Sequence, residues 1–211
     1  MQQNNKPLVT TIKLTRISIS IFSALLSTAI FFAPLISDAA TGTGEIDLHV
    51  SSERAESAGG TASLERHLKL GVFAGALSDL SETDSLSFGG FLKTDRGFQS
   101  AGEFTGYSLG LYLGWLHKEF SMRLAYSILA EMKNSNGTVE TAFRDGSGLE
   151  LQAKWVQWFD TEQGPKSFGF GPSLSYERLN FTKARVGSLP EVAQDRLVES
   201  ISPGVSATFK F

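Results

Sequence analysis

The sequence predicts an all-β fold, namely a transmembrane, antiparallel up-and-down β-barrel of eight strands. Three observations lead to this prediction. Apolar side chains occupy every second position from Val205 to the end of the chain, the same period recurs along residues 40–211, and the connections between these stretches alternate in length. Because successive side chains of a strand point to opposite faces, each stretch has one apolar and one polar face. Lipid solvates such an apolar face, and closure into a barrel removes the exposed strand edges.

The composition agrees with this fold and excludes several other classes of protein. The chain has 211 residues, enough for one domain, and its mean hydropathy is −0.04. The absence of cysteine excludes disulfides and thiolate metal sites. The net charge of −3 comes from interspersed charges, so no nucleic-acid-binding surface is expected. The sequence has no phosphate-binding loop and no metal-ligand spacing, so we expect no cofactor and no metal.

The N-terminal segment has the pattern of a secretory signal peptide. Lys6, Lys13 and Arg16 precede an uncharged run, 17–36, and small residues follow at cleavage spacing. This order predicts a signal peptide over 1–39 that is cleaved on export, which leaves a barrel domain over 40–211. The alternative is a retained transmembrane helix, because twenty uncharged residues are long enough to span a bilayer.

Eight stretches alternate with the period of a strand. The fourth, 107–115, is the clearest, because its leucines alternate with serine, glycine and tyrosine. A tilted strand needs about 9–11 residues to cross a membrane. The last five stretches reach that length, whereas the first and third fall short, so the count of eight depends on those two. The predicted strands are 45–51, 67–77, 85–93, 107–115, 120–131, 149–159, 168–181 and 197–211.

Long and short connections alternate between these strands. Four are longer and cover 52–66, 94–103, 134–148 and 182–196. They alternate with short ones at 78–84, around 117–119 and at 160–167. Barrels of the bacterial outer membrane have short periplasmic turns and longer external loops. The sorting therefore predicts that both ends of the barrel chain lie on the periplasmic side.

Aromatic residues cluster toward the ends of the predicted strands. Trp and Tyr are enriched where a membrane-spanning wall passes from hydrocarbon to lipid headgroups. We therefore predict one aromatic girdle at each interface. The residues assigned to the girdles are Trp115, Phe120, Trp155, Trp158, Phe168, Phe170, Tyr107 and Tyr176, with Phe91 and Phe181 added on the external side.

Charged residues fall on the face opposite the apolar one and are therefore expected inside the barrel. An eight-stranded barrel is only wide enough to be filled by side chains. Isolated buried ions cost several kcal/mol each, so opposite charges inside must pair. We predict a closed lumen without an aqueous pore, held by an internal network of charges: Arg123, Glu131, Glu150, Lys154, Glu177 and Lys69. The alternative is that these charges lie on the solvated face of a soluble sheet.

The end of the sequence carries a resemblance to a known family. Val205, Ala207, Phe209 and Phe211 alternate with polar residues up to the terminal phenylalanine. This pattern resembles the C-terminal signature of bacterial outer-membrane β-barrel proteins, and the architecture resembles small eight-stranded members of the OmpA-transmembrane-domain and OmpX type. The resemblance implies integral location in the outer membrane and recognition of those four residues by the barrel-assembly machinery. The alternative is the last strand of a soluble β-domain.

Three functions compete on the sequence alone. The first is a structural or surface-interaction barrel without enzymatic activity, monomeric, with outer-membrane lipid, lipopolysaccharide and an external ligand or host protein as expected partners. The second is a narrow conduit for small or apolar solutes. The third is a lipid A-modifying enzyme, since His49-Val50-Ser51 resembles the His-x-Ser arrangement of the lipid A deacylases. That match covers three residues on the side assigned to the lumen.

Overall fold

A computed structural model describes residues 41–57, 63–99, 102–136, 139–160 and 167–211. The predicted signal peptide, 1–39, lies outside these residues. Strands make up nearly all of the described chain, and no helix in that part is long and apolar enough to cross a membrane. The strands are β1 (Thr41–Ser57), β2 (Ser63–Asp79), β3 (Asp84–Gln99), β4 (Gly102–His117), β5 (Phe120–Asn136), β6 (Val139–Trp155), β7 (Gln157–Asp160), β8 (Ser167–Val186) and β9 (Val192–Lys210).

The strands close into one antiparallel barrel. Each strand from β1 to β6 pairs with the next along the chain, β6 and β7 both pair with β8, and β9 pairs with β8 and β1. The short β7 continues the line of β6 along β8, so β6 and β7 together count as one strand of an eight-stranded wall. The closed eight-stranded barrel predicted from the sequence is therefore confirmed. We call the end where β1 begins and β9 ends the terminal end, and the opposite end the far end.

The register of the pairing fixes the width of the barrel. A path of paired residues that starts at Glu45 and runs through Phe73, Phe91 and Gly110 continues around the wall and returns to β1 at Ala55. The return is displaced by ten residues, from 45 to 55, so the strands are strongly tilted. A tilted eight-stranded barrel has an interior that side chains fill.

The strands are longer than the sequence predicted. They have 16 to 20 residues, apart from β7, and they extend through most of the stretches that we expected to be external loops. The predicted sorting of long and short connections is therefore wrong in this structure. The reason is that backbone pairing needs no apolar outer face, so the ladders continue where the outward residues become polar.

Two prolines interrupt the ladders because proline has no backbone N–H to donate. Pro172 in β8 faces the break between β6 and β7 at Val156, whose N–H donates instead to the Glu119 carbonyl at 2.6 Å. Pro203 in β9 faces the gap in the β1–β9 ladder, where pairing stops at His49 and resumes at Ser52. The wall therefore bends at these two points without losing closure.

The bend opposite Pro172 requires a glycine in β8. A Cβ atom on Gly171 would lie 1.8 Å from the Trp155 carbonyl oxygen, whereas a Cβ on Gly44 of β1 would find its nearest atom at 3.6 Å. We predict that Gly171→Ala lowers the free energy of unfolding by about 1–3 kcal/mol, because the strands must separate. Gly44→Ala is the matched control and should change little. Urea unfolding of the refolded barrel, followed by tryptophan fluorescence, measures both. Equal stability of the two variants would contradict the close approach.

Candidate functional site in the barrel interior

The two faces of the wall have opposite chemistry along most of its length. Side chains on the outer face are apolar and exposed, while polar side chains on the inner face are buried. The exposed outer set consists of Ile46, Leu48, Val50, Leu68, Phe88, Leu109, Leu111, Leu113, Leu124, Tyr126, Ile128, Leu149, Leu151, Leu174, Ile201 and Val205. A soluble barrel would have the reverse arrangement, because water favours apolar burial.

Arg123 of β5 is the centre of the buried charges. Its Nη2 atom lies 2.5 Å from Asp47 Oδ2 and 3.2 Å from Glu150 Oε1, and its Nη1 atom donates to Glu45. Lys154 also donates to Glu45, and to Thr208 Oγ1 at 2.9 Å. The guanidinium carbon of Arg123 lies 3.3 Å from the ring centroid of Phe73, so one face of the cation is covered by an aromatic ring.

Lys93 of β3 joins this group to a second one. Its ammonium contacts both Glu150 and Glu177. Glu177 also accepts from Lys69 at 2.7 Å, and Lys69 donates to Ser200 Oγ at 2.8 Å. We call the connected set of Arg123, Lys154, Lys93, Lys69, Glu45, Asp47, Glu150 and Glu177 the ion cluster.

The ion cluster is balanced and almost completely buried. It holds four cations and four carboxylates, and its side chains are at most 12% exposed. Its members come from six strands, and all of its contacts except Arg123–Glu150, which joins the neighbouring strands β5 and β6, connect strands that do not pair with each other. Small residues on β8 and β9 leave room for these long side chains, and all of them are buried: Ser173, Ser175, Ser202, Ser206 and Thr208.

The structure places five of the six predicted network residues in the ion cluster and leaves one out. Glu131 is only partly buried and lies on the outer face, because register shifts in β5 between Ser127 and Met132 invert the alternation there. Conversely, the ion cluster includes Lys93, Glu45 and Asp47, which the predicted network did not. The Gly89-Gly90 pair obscures the alternation of β3. Lys93 nevertheless follows the buried Ser85 by eight residues, an even number, so both side chains are expected on the inner face.

His49 lies inside the wall and not beside a lipid-accessible serine. Its Nε2 atom is 2.8 Å from Ser173 Oγ and its Nδ1 atom is 3.4 Å from Ser175 Oγ, whereas no hydrogen bond joins it to Ser51. The amide of Gln152 lies between this histidine and Asp47. All these side chains are buried, so the arrangement is that of a polar residue satisfied within a packed interior.

An apolar cluster fills the barrel interior at the far end. Its members are buried to 7% exposure or less: Phe104, Ala130, Met132, Phe143, Leu179, Phe181, Ala184 and Val198. The guanidinium carbon of Arg196 lies 4.3 Å from the Phe143 ring centroid. We call this set the apolar cap. Along β8 its members Leu179 and Phe181 follow Glu177 of the ion cluster toward the far end.

At the level of the apolar cap the two faces of the wall exchange polarity: the inner face becomes apolar and the outer face becomes polar. On the inner face of β8, Ser175 and Glu177 are followed by Leu179 and Phe181. On its outer face the order is the reverse, since exposed apolar and aromatic residues up to Tyr176 give way to the polar set Arg178, Asn180 and Thr182. β4 behaves in the same way. The barrel therefore has an apolar exterior near the terminal end and a largely apolar interior near the far end, where the buried His67 ring lies 4.1 Å from the Phe104 ring.

Seven of the eight residues predicted for the girdles lie on the outer face. They are Trp115, Phe120, Trp155, Phe168, Phe170, Tyr107 and Tyr176. Trp158 is the exception, because it shares the inward parity of Lys154 and Val156. Its Nε1 donates to the Lys118 carbonyl at 3.1 Å, and Lys210 lies over its ring. Phe91 and Phe181 are also buried inside and do not belong to a girdle.

The residues of the predicted assembly signal line the terminal end. Val205, Ala207 and Phe209 lie on the outer face of β9. Phe211 follows the strand, and its backbone N–H and carbonyl pair with Gly42 at 2.9 Å and 2.7 Å. The recognition of these residues during assembly stays a prediction. Within the described residues, no group of three or more His, Asp or Glu side chains is placed to hold a metal ion.

Comparisons with known proteins find similarity of structure only. No protein-family model matches the chain, and no curated protein matches it significantly. Neisserial surface protein A (NspA) is 12% identical, with 78% of this chain and 95% of that chain covered and a TM-score of 0.43. The Escherichia coli outer membrane protease OmpT is 7% identical (83% and 99% covered, TM-score 0.48), and the attachment invasion locus protein Ail of Yersinia pestis is 14% identical (78% and 98% covered, TM-score 0.39).

The ion cluster gives a direct test of the interior. We predict that Arg123→Met lowers the free energy of unfolding by about 3–5 kcal/mol, because it leaves the Glu45, Asp47 and Glu150 carboxylates without their shared cation. Arg178→Met is the matched control; that side chain is 60% exposed and 3.9 Å from Glu199, so its loss should cost less than about 1 kcal/mol. Urea unfolding in lipid vesicles measures both. A small effect of Arg123→Met would contradict a cluster held by this arginine.

Proposed function

We propose that the chain is an integral protein of the bacterial outer membrane, with a closed lumen and a structural or surface-interaction role. The observation that carries this proposal is the exchange of chemistry between the two faces of the wall. An apolar exterior is stable only where lipid surrounds it, and an apolar interior only where water does. One barrel with both arrangements fits a protein that crosses a bilayer and then continues into water.

The dimensions support the same proposal. On β4 the exposed apolar band runs from Trp115 to Tyr107, which is nine residues, within the roughly 9–11 that a tilted strand uses to cross. The wall continues for several residues beyond this band at the far end only. In bacterial barrels the strand ends that carry the termini face the periplasm, so the far end would project from the cell surface.

A structural or surface role follows from what fills the barrel. The ion cluster and the apolar cap occupy the lumen in two successive layers, which argues against passage of solutes. The far end presents paired strands on a packed core, so it forms a rigid platform for contact with molecules outside the cell. The proposal also includes export through a cleaved signal peptide, 1–39, insertion by the barrel-assembly machinery and a monomeric state.

The effect of an arginine substitution at two positions along one strand tests the membrane location. We predict that Leu111→Arg, in the middle of the apolar band of β4, lowers the free energy of unfolding in bilayers by about 2–4 kcal/mol. Thr105→Arg is six residues away on the same face of the same strand, beyond the band, and should cost about 0–1 kcal/mol. Both residues are exposed, so packing inside the protein changes in neither variant. Equal effects at the two positions would contradict a lipid-covered band.

Electrical recording tests the closed lumen. We predict that the purified monomer in planar bilayers gives no sustained open-channel conductance, because the ion cluster and the apolar cap leave no continuous water path. A water-filled porin in the same bilayers is the positive control. A stable, large conductance from the folded monomer would refute the closed lumen and favour the conduit that the sequence left open.

A further inference from the structure

Pairing between β1 and β9 is interrupted within the apolar band. It stops after His49 and resumes at Ser52, and the register is the same on both sides, so the interruption is not a bulge. The intervening residues therefore still face one another, but without ladder contacts. We call these residues the seam gap; they are Val50 opposite Pro203 and Ser51 opposite Ser202.

The seam gap leaves hydrogen-bonding groups without partners. Pro203 has no N–H, so the carbonyl group of Val50 that faces it lacks its ladder donor. On the inner face, the side chains of Ser51 and Ser202 are both 0% exposed, and within the described residues neither hydroxyl has a hydrogen-bond partner. Hydrocarbon cannot supply the missing bonds, and an unsatisfied polar group is costly there. One acceptor and two hydroxyl groups are therefore available to a ligand.

The outer face at the seam gap is apolar and lies next to an aromatic side chain. Val50 and Ile201 are both 56% exposed on the outer face. Tyr176 of β8 pairs with Ile201 and is exposed beside it, at the end of the apolar band nearer the far end. On the proposed function this level lies just below the external headgroups. The polar head of an amphiphile can therefore lie at the gap while its hydrocarbon chain covers the band toward the terminal end.

Charged side chains on the inner face beside the seam gap already have partners. Lys69 of β2 donates to Glu177 at 2.7 Å, and His67 of the same strand lies 3.7 Å from Glu53. A charged head at the gap would add an unmatched ion to this buried interior, which is unfavourable. A hydroxyl group adds no charge, and it both donates and accepts, as the Val50 carbonyl and the two serines require.

We propose that the seam gap binds the hydroxyl-bearing head of an uncharged, single-chain amphiphile dissolved in the outer leaflet. The head enters between β1 and β9, where a ladder bond is missing, and the hydrocarbon chain lies on the apolar band. The site opens to the membrane and not along the barrel axis, so the closed lumen of the proposed function is unaffected. The inference rests on the proposed function, since it requires the band to lie in lipid.

Photo-labelling of the folded barrel in phospholipid vesicles tests the site. The two probes are a long-chain alcohol with a diazirine beside its hydroxyl group and the matching alkyl sulfate, which is always anionic. Mass spectrometry locates the labelled residues. The matched control for Ser51 and Ser202 is the pair of Asp47 and Ser206, which face each other in the intact part of the same ladder and are both 2% exposed. The alcohol should label the two serines of the gap about fivefold more than the control pair.

The variant Pro203→Ala restores a backbone donor opposite Val50 and should lower labelling of the gap serines about fivefold. Pro190→Ala lies in the β8–β9 turn, outside the ladders, and should change nothing. If Pro203→Ala does not fold, the comparison of the two residue pairs in the wild type decides alone.

Three results would each overturn the proposal: equal labelling of the gap serines and the control pair, labelling by the alkyl sulfate as strong as by the alcohol, or no effect of a folded Pro203→Ala. The membrane location has its own control in the same experiment. It fails if neither probe labels the outward Leu111 of the band more than the outward Thr105 beyond it.

Discussion

The structure depends on one constraint: charges that are sealed inside a closed wall must neutralise one another. The ladders of β1 to β9 leave no open edge, and the interior is only as wide as two opposed side chains. Arg123 meets this constraint by contacting three carboxylates, and Lys93 by linking Glu150 to Glu177. Because most of these partners come from strands that do not pair with each other, a shifted register would separate them. Specific pairing of the charges therefore supports the correct closure of the barrel, while the net stability of each pair remains modest.

The period of two was enough to predict the strands and most of their facing. It predicted that Arg123, Glu150 and Lys154 lie inside and that Leu109, Leu111 and Leu113 lie outside. The facing of Glu131 was wrong because a bulge is a local event that inverts the alternation without leaving a mark in the hydrophobic pattern. The prediction for Trp158 was wrong for a different reason. The alternation continues unchanged across Val156, so Trp158 has the same inward parity as Lys154, whereas the girdle was predicted from nearness to the strand ends.

The extent of the strands was harder to predict for a different physical reason. If every apolar residue of a strand faces lipid, the period of two predicts that each strand ends where its outer face becomes polar. At the far end Leu179 and Phe181 keep the period of two while they point inward. The same alternation is therefore compatible with opposite facings, and only the register with neighbouring strands distinguishes them. Ion pairs between particular residues are equally absent from the pattern, since they join residues as far apart in sequence as Glu45 and Lys154, which are separated by 109 positions.

The exchange of faces gives the far end an apolar layer of its own. In the proposed membrane setting, the wall beyond the apolar band has no contact with lipid, and a barrel filled only with paired charges would there lose the apolar burial that stabilises a fold in water. The apolar cap restores that burial on the inside, with Phe104, Phe143 and Phe181 as its largest members. Each half of the barrel thus has an apolar layer on the side where its surroundings require one. On the proposed function, the boundary between the halves, where Tyr107 and Tyr176 are exposed on the outer face, is the level of the external headgroups.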